Sequence, residues 1–181
     1  MSSCSNEIEE ETDHKSEVEI YNEKATLLIE KIISRREDCS CLVLNSTEKQ
    51  MEEMELGVSR EELQEMIIKE LDFASADELE SAMHISTDFQ LKNSKIDPSI
   101  KIWSRSTYDS LLIKGYEDNL KGLLKHRLDV IRKMCPKWVL MVSKPIFDTN
   151  YKYALVDIQN EGNCLKMPFF IYNLEGKSRN R

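Results

Sequence analysis

An α+β domain is predicted, with N-terminal helices packed on a C-terminal antiparallel β-meander. Three observations predict it. Apolar residues recur at helical spacing over much of the first two thirds of the chain. Two serine–glutamate pairs, Ser59 with Glu62 and Ser75 with Glu78, have the spacing of helix capping boxes. The last third holds three apolar runs joined by short polar turns. A chain of 181 residues has room for one such core and a tail.

The first helix is expected over 17–36, where Val18, Tyr21, Ala25, Leu28, Ile29, Ile32 and Ile33 recur in steps of three and four and define one face. Cys41 to Leu44 then reads as a short strand ending at the turn formers Asn45, Ser46 and Thr47. A helical patch over Glu48 to Leu56 stops at Gly57. Behind the two capping boxes lie two short helices in series, with Leu63, Met66, Ile67 and Leu71 on the buried face of the first and Leu79, Ala82 and Met83 on the second. Ile100 to Trp103 reads as extended, after a turn at Asp97-Pro98. A further helix spans Tyr116 to Met134, and Pro136 forbids its continuation. Three strands follow: Trp138 to Phe147, Tyr151 to Gln159 and Leu165 to Leu174. Asp148, Thr149 and Asn150 form the first turn and Asn160 to Asn163 the second, and loops this short imply antiparallel neighbours. Pro145 and Pro168 donate nothing to a ladder, so each marks a bulge, an end or an edge.

The formal charge of −8 is concentrated at the start, where residues 1–23 hold eight acidic side chains against Lys15 alone. Residues 1–16 are therefore expected to form an acidic flexible tail or tether, because so few apolar groups cannot offset the entropy of ordering them. Residues 17–181 form the single α+β domain. An acidic chain has no general attraction to nucleic acid, and no nucleic-acid partner is expected. The longest apolar runs, such as Trp138 to Val142, fall far short of the roughly 20 residues that span a bilayer.

Cys4 follows Met1, Ser2 and Ser3 and precedes a polar run, which has the look of a bacterial lipoprotein cleavage site whose signal peptide has been removed. Lipid attachment at Cys4 is the resulting expectation, and any membrane contact is through that anchor alone. Cys39, Cys41, Cys135 and Cys164 remain, and four cysteines allow three pairings. Cys135 and Cys164 lie equally far from a turn centred between Thr149 and Asn150, so a two-strand register brings them together as a disulfide. Cys39 and Cys41, two apart on a strand, point the same way. The plain alternative for all four is a small buried apolar residue.

Catalytic signatures are absent from the sequence. His14, His84 and His126 have no second ligand at metal spacing, and the five glycines form no phosphate loop, so no catalytic residue, metal site or cofactor is expected. Adjacent acids such as Glu52/Glu53 and Glu61/Glu62 project differently from a helix and solvate its face. Tyr151, Tyr153 and Asp157 share one face of the second C-terminal strand and form the candidate binding surface, the ordinary reading being a cross-strand packing ladder.

Ser143, Pro145 and Phe147, then a turn, then Tyr153, Ala154, Leu155 and Val156 follow a pattern S-x-P-x-F…Y-A-L-V. The pattern resembles the C-terminal hairpin of small lipoproteins and secreted proteins of Gram-negative bacteria. There too the hairpin follows a helix that ends at a proline step, here Met134, Cys135 and Pro136, and precedes a strand closing on a Gly-Lys turn, here Gly176-Lys177. The helix beginning Ile20, Tyr21, Asn22 sits where theirs does. This chain departs in having Asn163, Cys164 and Leu165 in place of paired glycines, and in ending at Ser178 to Arg181 where relatives carry a tryptophan strand. The resemblance implies an α+β fold located in the cell envelope or periplasm; it brings no catalytic residues. The expected function is that of a non-enzymatic envelope domain, a lipoprotein that binds a protein or another envelope component. The alternatives are an immunity-type inhibitor of a secreted toxin or enzyme, a small enzyme with a pocket between sheet and helices, and a cytoplasmic protein if the cysteines are reduced.

Overall fold

The computed structural model describes residues 15–36, 39–45, 59–85, 89, 91, 95–117, 124–160 and 170–174. Cys4, Cys164 and the helix expected over Glu48 to Leu56 lie outside them, as does nearly all of the acidic tail. The elements run α1 (Glu17–Ile33), β1 (Cys39–Asn45), α2 (Arg60–Leu71), α3 (Ala76–Ile85), β2 (Lys101–Ser104), α4 (Arg105–Glu117), α5 (Leu124–Met134), β3 (Trp138–Ser143), β4 (Ile146–Phe147), β5 (Tyr153–Val156), β6 (Ile158–Asn160) and β7 (Phe170–Asn173).

Capping fixes the helix starts. Ser16 Oγ accepts the Glu19 amide at 3.3 Å while the Glu19 carboxylate takes the Ser16 amide at 2.8 Å, which satisfies two amides that the first turn of α1 leaves orphaned. Ser59 and Glu62 do the same for α2, at 3.2 and 3.0 Å. In α3 the exchange is offset: Ser75 Oγ accepts the Glu78 amide, but the Glu78 carboxylate takes the amide of Ala74. The carboxylate of Glu19 is held below its ordinary pKa, chiefly by its bond to the Ser16 amide.

The strands form two sheets, which makes the chain α+β with helices mostly early and strands mostly late. The first sheet has the order β2-β1-β3-β6, and here the arrangement differs from a single meander. β1 is parallel to both β2 and β3; only β6 is antiparallel to β3. Leu42 faces Ile102 on one side and Leu140 on the other, and Asn45 faces Ser143. Parallel neighbours require long crossovers. Residues between β1 and β2 include α2 and α3, and those between β2 and β3 include α4 and α5. A parallel strand covered on both faces is apolar without alternation, which accounts for the run Cys41, Leu42, Val43, each fully buried.

The second sheet, β4-β5-β7, is the antiparallel part of the expected meander. The long hairpin passes through both sheets. Val142 faces Ile158 in the first sheet, whereas Ile146 faces Leu155 in the second, a shift of one residue. The break falls at Pro145 on one strand, as its missing donor predicts, and at Asp157 on the other. Ser143 and Asp157 bind each other there, amide to carbonyl at 2.9 Å and amide to hydroxyl at 2.8 Å.

Three apolar clusters result. Leu28, Ile29 and Ile32 of α1 meet Leu42, Leu140 and Val142 on one face of the first sheet. Tyr108 of α4 and Ile131 of α5 meet Cys41, Val43, Val139 and Met141 on the other. Leu63, Ile67 and Leu79 of α2 and α3 cover Ile146 and Leu155 of the second sheet.

The disulfide differs from expectation. Cys135 is bonded to Cys41, 94 residues away, with the Cα atoms 5.7 Å apart, and not to Cys164. The reason lies in where the chain leaves the sheet. Cys135 is still part of the last turn of α5, its amide bound to the Ile131 carbonyl at 2.7 Å, so it lies over the face that holds Cys41 and not along the hairpin ladder. Nor do Cys39 and Cys41 point the same way. The β1–β3 register shifts between them, placing Cys39 in the cluster with α1 and Cys41 in the cluster with α4 and α5.

Candidate functional site

The three residues expected to share a strand face are divided by the fold. Tyr151 lies in the β4–β5 turn with φ 53°, Tyr153 is on β5, and Asp157 sits at the break before β6. Tyr151 packs on the cluster built around α1, whereas Tyr153 packs on the one built by α2 and α3. Asp157, nearly buried, accepts a bond from Gln159 Nε2 at 2.7 Å. The expected surface is therefore corrected: the positive φ of Tyr151 takes it off the strand pleat, and Tyr151 lines a cleft that neither Tyr153 nor Asp157 borders.

That cleft, of about 180 Å³, lies between the first turns of α1, the inner side of α3 and the β4–β5 turn. Its base is aromatic. Tyr21 donates its hydroxyl to the Pro145 carbonyl at 2.8 Å, and its ring stands edge-on to Phe89 and Phe147 at centroid separations of 5.8 and 5.5 Å. Tyr151 lies against Phe147 at 5.3 Å. Three carboxylates border the cleft: Glu17 from α1, Glu78 from α3 and Asp148 from the turn.

Asp148 is the structural pivot of the turn. Its Oδ1 accepts the amides of Lys152 and Tyr153 at 2.7 and 2.8 Å, and its carbonyl accepts the amide of Tyr151 at 3.0 Å. This local bonding holds Tyr151 at a positive φ, which is rare for a bulky side chain. Burial raises the pKa of the Tyr151 phenol, and the negative charge of Glu17 raises it further. Burial likewise raises Tyr172, against the opposing pull of Arg36 and Arg35. With folded values above the unfolded value of about 10, both phenols favour folding fully below that pH, and the contribution is lost as pH rises through the folded values. A tyrosinate absorbance titration is expected to show the phenols of Tyr151 and Tyr172 ionising late, and Tyr151→Phe is expected to remove one late-ionising group. Normal titration of every tyrosine in the folded chain would refute it.

Two other polar places are built differently. At the carboxyl ends of the parallel strands, Asn45 Oδ1 accepts Arg105 Nη1 at 3.2 Å, and Arg105 Nε donates to Asp109 at 2.9 Å. The crevice beyond such strand ends is a common place for ligands in open α/β sheets. Here buried Asn45 and half-buried Arg105 and Asp109 bind one another, and the Lys144 amide closes on the Asn45 carbonyl at 3.3 Å, so the network ties β1 and α4 to the chain leaving β3. The second place is a cleft of about 330 Å³ beside the buried Cys39 thiol, lined by Arg36, Lys95 and Lys137 but also by Glu30 and Asp97. There Glu30 takes the Lys95 amide and Asp97 takes the Ser99 amide, so both acids already serve the backbone.

No family model, curated protein or solved structure matches the chain. The site is thus read from its own chemistry. Among the described residues no group of three His, Cys, Asp or Glu side chains is placed to hold a metal ion, and no helix is long and apolar enough to cross a membrane. The acidic, aromatic cleft gathers groups from α1, α3 and the hairpin turn; of these Asp148 was legible in the sequence only as a turn former, and Tyr21 only as a core position.

Proposed function

We propose that this chain is a lipid-anchored envelope domain that acts by recognition, tethered through Cys4 and held off the membrane by its acidic leash. The observation that carries the reading is the Cys41–Cys135 disulfide. Such bonds persist in oxidising compartments and are rare in the cytosol of ordinary cells. The hairpin resemblance supports the same address, and the acidic residues ahead of α1, Glu7, Glu9, Glu10, Glu11 and Asp13, supply the leash. The cleft supports recognition over turnover of a metabolite. At about 180 Å³ it is smaller than the roughly 300–1,000 Å³ typical of small-molecule sites.

The test is the non-reducing intact mass of the product of the untrimmed gene in its own host. A lipid adduct on Cys4 together with a disulfide-bonded mass is the expected result. An unmodified, fully reduced chain would overturn the reading. An immunity-type inhibitor is the second reading, favoured by the net charge of −8 and by the carboxylates around the cleft, which complement a basic toxin or enzyme.

A further inference from the structure

We propose that the cleft beneath the β4–β5 turn receives an arginine side chain projecting from a partner protein, an inference that rests on the reading of this chain as a recognition domain. Size argues first for a side chain. A volume of about 180 Å³ admits one long side chain and leaves no room for a typical free metabolite.

Charge and aromatic surface argue for a cation. Glu17, Glu78 and Asp148 border the cleft, and no Lys or Arg lines it among the described residues. Tyr21, Phe147 and Tyr151 supply ring surface, whose quadrupole attracts a cation held over it. Asp148 adds an independent sign. It is more than nine-tenths buried, and both turn amides bond to its Oδ1; its Oδ2 accepts no hydrogen bond among the described residues. That oxygen is not sealed from solvent, so a donor that enters the cleft can reach it, and a charged donor forms the stronger, shorter bond.

Arginine fits better than lysine. A guanidinium is planar, stacks on aromatic rings and is more weakly hydrated than an ammonium, so it enters a half-apolar cleft at lower desolvation cost. The negative charge of the whole chain, −8, would draw a basic partner toward the site before contact.

The experiment titrates the full chain with three capped tripeptides, Gly-Arg-Gly and its lysine and citrulline counterparts, followed by backbone amide chemical shifts. Citrulline keeps the shape of arginine and removes its charge. Saturable millimolar binding of the arginine peptide is expected, with shifts centred on Tyr151, Asp148 and Ser81, and citrulline at least about tenfold weaker. Asp148→Asn keeps an Oδ1 acceptor for the two turn amides and removes the charge; it is expected to weaken arginine binding about tenfold while the remaining spectrum is unchanged. Glu17→Gln, at an exposed helix start, serves as a second variant if Asp148→Asn does not fold, and is expected to weaken binding severalfold. Equal binding of citrulline, equal or tighter binding of lysine, or shifts away from the turn would overturn the proposal. These outcomes are separate from the mass measurement. A reduced, unlipidated chain that still bound arginine would fail the envelope reading alone, and a lipidated, oxidised chain indifferent to arginine would fail this one alone.

Discussion

Removal of the Cys41–Cys135 bridge is expected to lower the unfolding free energy by about 3–4 kcal/mol, a large share of the roughly 5–15 kcal/mol that holds a domain of this kind folded. The bridge joins residues 94 apart, so it restrains a span that contains α2, α3, β2, α4 and α5. Loop-closure entropy alone gives about 4–5 kcal/mol for such a span, and measured values are usually somewhat lower. Both cysteines are buried in the cluster between the first sheet and α4 and α5, so the double variant Cys41→Ala, Cys135→Ala also loses packing there. Urea unfolding with and without reductant, set beside that variant, measures the effect. The slope of the transition is expected to rise as well, because an uncrosslinked chain exposes more surface when it unfolds. Cys39→Ala is the control: its thiol takes no part in the bridge, and a cost of about 1 kcal/mol is expected from the lost packing of one small side chain. Coincident transitions with and without reductant would refute the estimate. Peptide mapping that joined Cys135 to Cys164 would refute the pairing itself.

The same disulfide marks where the sequence was readable and where it was not. Local signals read well. The spacing of Val18, Tyr21, Ala25, Leu28, Ile29, Ile32 and Ile33 places α1, and all but Val18, which is exposed in the first turn, are buried as that face requires. The capping boxes at Ser16/Glu19 and Ser59/Glu62 exist as reciprocal bonds, although only the second was read from the sequence. The turn after Phe147 and the break at Pro145 follow from residues whose backbone chemistry is restrictive. Long-range pairing read poorly. Nothing local says that Cys41–Leu44 lies parallel between Ile100–Trp103 on one side and Trp138–Ser143 on the other, since the pairing is set by crossovers of many residues. α4 was missed because its start, Arg105, Ser106 and Thr107, is polar and follows β2 with no loop between them.

The cleft was harder still. Its walls come from the start of α1, from α3 and from the hairpin turn, and the contact that unites the base, Tyr21 with Pro145, spans 124 residues. A period-2 reading put Tyr151, Tyr153 and Asp157 on one face. The turn defeats that reading, because Asp148 captures two amides and forces the chain through a positive φ at Tyr151 before β5 begins. Aromatic residues beside a turn former were visible as a suggestive cluster; which of them faced an acidic helix start was not.

Tyr21→Ala is expected to cost about 3–5 kcal/mol, and Tyr21→Phe about 1–2 kcal/mol. The two numbers separate the two jobs of one side chain. The ring, 2% exposed, fills the space among α1, Phe89 and Phe147, and its deletion leaves a cavity that edge-on aromatic neighbours cannot collapse into without losing their own contacts. The hydroxyl reaches the Pro145 carbonyl, at the crossing where the hairpin leaves one sheet for the other. Phenylalanine keeps the ring and withdraws that donor from a buried carbonyl, which loses the bond and strands its acceptor. Because Pro145 interrupts the ladder, the Tyr21 hydroxyl is a fixed attachment between α1 and the hairpin at a point where the backbone of that strand donates nothing. Denaturant unfolding of the three proteins provides the comparison. Equal losses for alanine and phenylalanine would place the whole effect in the hydroxyl and remove the packing role, whereas a phenylalanine variant as stable as the parent would leave the Pro145 bond without energetic weight. The expected order, with alanine far below phenylalanine and phenylalanine measurably below tyrosine, follows from a ring that builds the core and a hydroxyl that ties α1 to the hairpin beneath the cleft.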